Sequence, residues 1–199
     1  TLIPTKTGYI FNPTSKDFNN VTSNEIQNYT GAPHIFGIYD GKIAYDPSLS
    51  SKVTEVGANW VREYVFWSDI EPNPPKNGIH DYNWHKYDEL FLKYKNKNLT
   101  VIALIGGIPS WAGPNSYGPI VRMEDFKRFL SDLLSRYDGS QGFPEVIFYE
   151  LFNQPDLRSE LYSGPGIGFW GGSGGGDGSD YAGMLTEIYA PIKAANPNA

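Results

Sequence analysis

Strand-like and helix-like segments alternate four times between residue 34 and the end of the 199-residue chain, and this alternation constrains the fold more than any other feature. The strand-like segments are HIFGIYD, NWVREYVFW, LTVIALIGG and EVIFYELFN. The helix-like segments, with apolar residues three or four positions apart, are DPSLSSKVTEVGA, YNWHKYDELFLKYKNKN, MEDFKRFLSDLLSRY and SDYAGMLTEIYAPIKAAN. Such alternation predicts βαβ crossovers and therefore an α/β fold with a parallel sheet.

Two architectures fit four such units. They can close a small doubly wound sheet, or they can form the first half of an eight-unit (β/α)₈ TIM barrel, which typically needs about 250 residues. Two observations favour the half-barrel: the last helix ends where a further strand would follow, and the strands are apolar with no edge protected by charge. We expect residues 31–199 to be the N-terminal half of a TIM barrel, and residues 1–30 an irregular lead-in with at most one short strand.

The loops that follow the strands are longer and more unusual than the loops that return from helix to strand. They carry Trp67, Glu71, Trp111, Asn153 and a glycine-rich run at residues 163–180. In parallel α/β sheets, ligands bind beyond the carboxyl ends of the strands. We therefore expect the functional face at that edge of the sheet.

The overall composition excludes several classes of partner. A net charge of −6 and a pI of about 5.0 argue against nucleic acid or an anionic membrane, and no apolar run is long enough to cross a bilayer. The absence of cysteine excludes thiol catalysis, disulfides and thiolate metal sites. His34, His80 and His85 lack metal-ligand spacing. We expect neither a metal nor a cofactor.

Aromatic residues make up 15% of the chain, which has two explanations. They can build a large core, or they can line a sugar-binding cleft, where the C–H faces of pyranose rings stack on flat side chains. Trp67 and Trp111, at the ends of the second and third strands, are candidates for sugar stacking. Ordinary loop packing explains each of them equally well, so both interpretations stay open.

The segments GANWVREYVFWSDIEP, YNWHKYDELF, PSWA and VIFYELFNQPD together resemble the clan A glycoside hydrolases, above all family 39, which contains β-xylosidases and α-iduronidases. The resemblance runs in order from about residue 35 to residue 199. It implies a retaining mechanism on a β-linked glycoside, in which strand 4 ends in Asn-Glu-Pro with the Glu as acid/base and strand 7 supplies a second Glu as nucleophile. A retaining glycosidase needs two such carboxyl groups about 5 Å apart. The implied partners are an oligosaccharide or glycoside substrate and the C-terminal half of the barrel, and this substrate class favours a secreted protein.

The chain departs from that pattern at the acid/base position, which is Gln154. Glutamine keeps the shape and hydrogen-bonding reach of glutamate but cannot transfer the proton. An engineered Glu-to-Gln change, a naturally inactive carbohydrate-binding relative and a coincidence at a structural strand end all explain it. Since no strand 7 lies within these residues either, we expect the chain by itself to be inactive.

The resemblance also assigns roles to neighbouring residues. It implies that Asn153 hydrogen-bonds the sugar 2-hydroxyl and that Arg62 points into the barrel to orient the nucleophile. A structural ion pair of Arg62 with Glu150 or Glu63 is the alternative, because a charge inside an apolar strand is costly unless it is paired. Asp40, at the end of the first strand, is a candidate contact to a sugar hydroxyl.

Three further features have structural as well as functional explanations. We interpret Glu71 as a loop-stabilising acid, while Asp156 either holds its loop or substitutes as proton donor. The glycine-rich run lacks a phosphate-binding pattern. It is either a mobile flap with Phe169 or Trp170 at its tip, or a flexible surface loop.

Overall fold

The computed structural model describes residues 1–6, 9–19, 26–33, 37–39, 52–53, 55–114, 116–155, 170 and 178–199. The strands in this part are β1 (Tyr9–Asn12), β2 (Thr30–Pro33), β3 (Gly37–Tyr39), β4 (Trp60–Phe66), β5 (Thr100–Gly106) and β6 (Phe148–Leu151). The helices are α1 (Trp67–Ile70), α2 (His85–Asn96), α3 (Met123–Arg136) and α4 (Ser179–Ala195). Residues 52, 53 and 55 are also helical.

Strands β3, β4, β5 and β6 form one parallel sheet in the order in which they follow along the chain. The predicted parallel α/β sheet is therefore confirmed. A doubly wound sheet reverses its strand order at a switch point, and these four strands show no such reversal. The order instead fits a sheet wound in one direction.

The two faces of the sheet differ, as strand β4 shows. Its side chains alternate between buried and partly exposed along all seven residues. Val61, Glu63 and Val65 are buried, and the hydroxyl of Tyr94 in α2 donates a hydrogen bond to the Glu63 carboxylate. This face is covered by helices. Arg62 and the other partly exposed residues of β4 point to the opposite face.

The helices cover the sheet because each carries an apolar stripe. In α3, Phe126, Phe129, Leu130, Leu133 and Leu134 are buried at a spacing of three or four residues. The equivalent stripe of α2 consists of Tyr87, Leu90, Phe91 and Tyr94. An ion pair between Lys127 and Glu187 at 3.0 Å joins α3 to α4. No helix among the described residues combines the length and apolarity needed to cross a bilayer.

The predicted lead-in contains one short strand, β1, which pairs with β2 in an antiparallel ladder. Tyr9 faces Pro33 and Asn12 faces Thr30 in this register. The boundary expected between residues 30 and 31 falls within β2. The lead-in is tied by backbone hydrogen bonds to the segment that follows that boundary.

Candidate functional site

The end of strand β6 carries the segment that the sequence marks for function. Leu151 closes the strand, and Phe152 and Gln154 have left-handed backbone angles, with φ of 57° and 49°. Non-glycine residues rarely adopt such angles, which persist only where surrounding contacts hold them. Phe152 is buried, Asn153 is partly exposed and Gln154 is exposed. The turn therefore anchors on Phe152 and presents the two amides at the carboxyl end of the strand.

Arg62 connects this turn to the partly exposed face of the sheet. Its Nε and one terminal nitrogen donate to the two carboxylate oxygens of Glu150, both at 2.6 Å. The same terminal nitrogen donates to the Asn153 Oδ1 at 3.0 Å. The Asn153 Nδ2 in turn donates to the Gln154 Oε1 at 3.3 Å. Glu150, Arg62, Asn153 and Gln154 thus form one continuous hydrogen-bonded row, which we call the strand-end row.

Arg62 makes the ion pair that the sequence left open as its structural explanation, and its role in orienting a nucleophile stays a prediction. The structural alternative is present, because the guanidinium is paired with Glu150 rather than with Glu63. Its contact with Asn153 also brings it into the candidate site. A bidentate pair of this kind fixes the plane of the guanidinium and hence the direction of its remaining donors.

The electrostatics around the row favour a charged arginine and a neutral Tyr64. The hydrogen bonds that Arg62 donates to Glu150 raise the pKa of Arg62, and burial partly offsets this rise. Burial raises the pKa of Tyr64 to about 12, with a hydrogen bond to Tyr39 adding to the effect. The guanidinium lies 5.1 Å from the centre of the Tyr39 ring, within cation–π range. At neutral pH the Tyr64 hydroxyl therefore keeps its proton and can donate a hydrogen bond.

A small cavity of about 20 Å³ adjoins the strand-end row. It is lined by Tyr64, Phe66, Gly106, Gly107, Tyr117, Phe152 and Asn153. Gly107 is required here: its φ is 63°, and a Cβ atom would lie 2.6 Å from the Phe66 ring. This volume has room for about one water molecule. A sugar would have to bind over the row rather than within this cavity.

The structure corrects the expectation that Trp67 stacks on a sugar ring. Trp67 is fully buried, and its ring packs between Phe126, Phe129 and Trp111 at centroid distances of 5.2 to 5.4 Å. No face of it can reach a ligand, so packing is the correct explanation. Trp111 is partly exposed, and its indole nitrogen donates to the Glu71 carbonyl oxygen at 3.1 Å. Sugar stacking by Trp111 stays a prediction.

Glu71 is placed as a loop-stabilising acid. Its carboxylate is fully buried and accepts hydrogen bonds from the Trp67 indole at 2.8 Å and the His80 ring at 2.6 Å. Burial raises the pKa of Glu71, and these hydrogen bonds oppose that rise. His80 also lies 3.6 Å from Asp125 of α3. Through His80, the Glu71 carboxylate therefore links the loop that follows α1 to helix α3.

Trp170 is not at the free tip of a flap. It is 4% exposed, with its ring 5.0 Å from Phe152 and 5.6 Å from Tyr181. Gly118 makes this fit possible, because a Cβ atom there would lie 2.7 Å from the Trp170 ring. Trp170 is thus anchored beside the turn that carries Asn153. The other residues of the glycine-rich run up to position 177, including Phe169, lie outside the described part, as do Asp40, Asp156 and His34.

Within the described ranges, no group of three or more His, Cys, Asp and Glu residues is placed to hold a metal ion. His80 and His85 are instead near carboxylates of Glu71 and Glu89. The strand-end row contains one carboxylate and two amides around one arginine. These groups are hydrogen-bond donors and acceptors suited to a polar ligand.

From the sequence, Glu150 was identifiable only as a structural partner of Arg62, and Tyr39 and Tyr64 were not identified as neighbours of the site. The period of two along a strand was the available signal, since it places Arg62 and Tyr64 on the same face of β4. The pairing of Tyr39 with Arg62 and of Leu104 with Glu150 extends that face across the sheet. These pairings require the strand register, which the sequence alone does not specify.

The chain matches no protein-family model and no curated protein, but it is similar to solved glycoside hydrolase structures. A monomeric β-xylosidase from Caulobacter crescentus CB15 aligns with 81% of this chain at 17% identity and a TM-score of 0.62. A family 39 glycoside hydrolase from Bacteroides cellulosilyticus WH2 aligns with 87% at 18% identity and a TM-score of 0.55. An endo-1,4-β-mannanase from Rhizomucor miehei aligns with 85% at 15% identity and a TM-score of 0.57.

These similarities show the fold, which is that of family 39 glycoside hydrolases and related glycosidases. The chain spans 34% of the length of the first two structures and 56% of the mannanase. The similarity in fold therefore covers about a third of a family 39 enzyme.

Proposed function

We propose that these residues form the first four β/α units of the catalytic barrel of a retaining glycoside hydrolase acting on a β-linked glycoside. The observation that carries the proposal is the strand-end row. It brings an arginine and two amides together at the carboxyl end of the strand where this fold has its acid/base. A substrate of β-linked neutral sugars, with xylosides as the first class to test, is consistent with the similar structures.

The roles follow from the hydrogen-bond directions. Arg62 donates a hydrogen bond to the Asn153 Oδ1. The Nδ2 group of Asn153 therefore faces Gln154 and can donate to a sugar hydroxyl. Glu150 holds Arg62 by two hydrogen bonds and so fixes the orientation of that amide. Gln154 takes the place of the acid and holds the leaving oxygen by a hydrogen bond without protonating it. Trp111 and Asp40 are proposed as further substrate contacts.

The remaining barrel units supply the nucleophile in this proposal. They would add strands at the edges of the sheet, next to β3 and β6, and enclose the face that carries Arg62, Tyr64 and Glu150. A retaining mechanism then requires their carboxylate about 5 Å from position 154. Residues 31–199 are the N-terminal half of that domain.

The test is hydrolysis of aryl β-xylosides by the intact protein that carries this chain, before and after Gln154→Glu. We expect the native protein to be inactive on substrates whose leaving group needs protonation. The Glu variant should gain about 10²–10⁴-fold, the usual contribution of a general acid. The first-turnover release of dinitrophenol from a dinitrophenyl xyloside, whose leaving group needs no proton, should differ far less between the two, because position 154 is then needed only as base in the second step.

Asp156→Asn is the control, because Asp156 is the other acid near this position. If Gln154→Glu has no effect and Asp156→Asn abolishes an existing activity, Gln154 is only a neighbour of the true acid. If neither variant changes anything, the site is not that of a glycosidase.

A non-catalytic carbohydrate-binding protein is the second candidate. The carboxamide of Gln154 favours it, because the amide completes the hydrogen-bonded row without supplying an acid. This candidate predicts that xylo-oligosaccharides bind to the intact native protein and that Gln154→Glu leaves hydrolysis undetectable.

A further inference from the structure

The turn that carries Asn153 has a backbone that depends on contacts from other segments. Phe152 and Gln154, on either side of Asn153, both have left-handed backbone angles. Such angles are unfavourable for non-glycine residues and persist only where surrounding contacts enforce them. The Phe152 N–H donates a hydrogen bond to the Ile105 carbonyl oxygen at 2.8 Å, which ties the start of the turn to strand β5.

The Phe152 ring is enclosed by other aromatic rings. It is 4% exposed, and its centre lies 6.2 Å from the ring of Phe126 in α3 and 5.0 Å from that of Trp170. The Trp170 ring in turn lies 5.6 Å from the ring of Tyr181 in α4. It also lies against Gly118, where a Cβ atom would be 2.7 Å from the indole. One indole therefore contacts the loop after β5, the turn after β6 and helix α4.

Tyr181 also holds the backbone of the turn. Its hydroxyl donates a hydrogen bond to the carbonyl oxygen of Leu151, the last residue of β6, at 2.7 Å. Burial raises the pKa of Tyr181, so the hydroxyl keeps its proton at neutral pH and stays a donor. This carbonyl and the Phe152 N–H belong to one planar peptide unit. The unit that opens the turn is therefore held on both sides, by α4 and by β5.

From these contacts we infer that Phe152, Trp170 and Tyr181, which we call the aromatic clamp, are positioning residues of the candidate site. The clamp holds the ring and the peptide unit that precede Asn153, and so sets the direction of the amides of Asn153 and Gln154. Gln154 is exposed, so its placement depends on the backbone before it. The inference rests on the proposed function only for the chemistry that the held residues carry out.

The aromatic clamp and the strand-end row act on the same turn through different forces. The strand-end row reaches the turn through the hydrogen bond from Arg62 to the Asn153 Oδ1 at 3.0 Å. The clamp reaches it through ring packing and one hydrogen bond to the backbone. Loss of the clamp should therefore loosen the turn even where the ion pair of Arg62 with Glu150 is intact.

The first test is amide hydrogen exchange of residues 152–154, followed by mass spectrometry on the intact protein that carries this chain. Tyr181→Phe removes the hydrogen bond to Leu151 and keeps the ring. It should speed this exchange about fivefold, the equivalent of one neutral hydrogen bond. Trp170→Leu, which leaves space beside Phe152, should speed it about tenfold or more, because the turn then opens locally.

Two matched variants separate the clamp from general destabilisation. Trp84→Leu removes an indole that packs on Phe129 at 6.1 Å. It should speed exchange in strand β4 and leave residues 152–154 unchanged, because local opening of the turn does not involve that indole. Tyr189→Phe, at a 65% exposed position of α4, should change neither region.

The second readout is catalysis in the Gln154→Glu background. Trp170→Leu should remove about 10²-fold of the gain on aryl xylosides whose leaving group needs a proton, since a displacement of about 1 Å can cost that much. The first-turnover release of dinitrophenol should fall far less, because it does not require proton transfer from position 154. A general loss of structure would lower both rates alike.

The outcomes distinguish the clamp from the proposed function. Native exchange rates at residues 152–154 in both Tyr181→Phe and Trp170→Leu would overturn the inference. So would Trp84→Leu speeding that exchange as much as Trp170→Leu, or a gain from Gln154→Glu that Trp170→Leu leaves intact. Faster exchange in the clamp variants, with no gain from Gln154→Glu, would support the clamp and reject the glycosidase. If Trp170→Leu does not fold, Tyr181→Phe decides.

Discussion

At the scale of single residues, Arg62 determines how the candidate site is held together. It donates hydrogen bonds both to Glu150, within strand β6, and to Asn153, beyond the end of that strand. A lysine cannot reproduce this arrangement, because it lacks the planar fork of donors that binds a carboxylate through two parallel hydrogen bonds. The orientation of Asn153 therefore depends on a charge pair formed within the sheet.

Glu150→Gln should lower the free energy of unfolding by about 1 kcal/mol, because a partly exposed bidentate ion pair becomes a single hydrogen bond from the guanidinium to an amide oxygen. The measurement is urea denaturation of the purified protein. Glu89→Gln, on the exposed side of α2, is the matched control and should stay within about 0.5 kcal/mol of the native protein. Equal effects of the two changes would show that Arg62 gains nothing from Glu150.

Glu71 gives a prediction about pH. Because burial raises its pKa above the ordinary value of 4.5, the folded state binds the proton of Glu71 more tightly than the unfolded state does. The stability that Glu71 contributes is therefore fully present below pH 4.5 and is lost as the pH rises through its folded pKa. The measurement is denaturant unfolding of the native protein and of the Glu71→Gln variant, from below pH 4.5 to neutral pH. The free energy of unfolding of the native protein, relative to that of the variant, should decrease as the pH rises. A growing advantage would contradict this sign.

At the scale of elements, α3 connects the sheet to the rest of the helical layer. Its apolar stripe packs against Trp67 and Trp84, and its polar side supplies Arg128 and Asp132 to a surface pocket of about 650 Å³. One helix thus contributes to the core and to a surface site through opposite faces. This division follows from the helical period of 3.6 residues.

Leu130→Ala in α3 should lower the free energy of unfolding by about 2–4 kcal/mol, because Leu130 is fully buried and its removal leaves a cavity. Leu92→Ala, at a position 38% exposed in α2, is the control and should cost less than about 1 kcal/mol. The two variants can be compared through their urea midpoints. Similar midpoints would mean that α3 does not pack on the sheet as described.

At the scale of the whole molecule, the parallel sheet has two edges and one face not covered by described elements. Strands β3 and β6 each pair with one neighbour within the described part of the chain. Tyr39 and Phe148, at those two edges, are 53% and 43% exposed. Unpaired strand edges and exposed aromatic side chains promote association with further strands.

The 199-residue chain should therefore self-associate when expressed alone. It should form a one-to-one complex with a polypeptide that carries the following β/α units. Native mass spectrometry of the two mixtures measures both outcomes. A stable monomer near 22.2 kDa that unfolds cooperatively and does not bind the second polypeptide would contradict the half-barrel proposal.

The sequence by itself determined the parallel α/β sheet and the place of the candidate site. Both depend on local periodicity: alternating apolar strands and amphipathic helices imply βαβ crossovers, and polar residues just after a strand must lie at its carboxyl end. Asn153 and Gln154 were identifiable for this reason. The local pattern could not, however, tell whether four units wind in one direction.

Only the tertiary structure decided which distant groups meet. Glu150 rather than Glu63 pairs with Arg62 because Glu63, one position along β4, points to the helix-covered face. Trp67 is buried because α3 lies over it, and Trp170 is anchored because Gly118 leaves room for its ring. Such contacts join residues far apart in the chain. They depend on strand register and helix placement, which arise only when the whole chain packs.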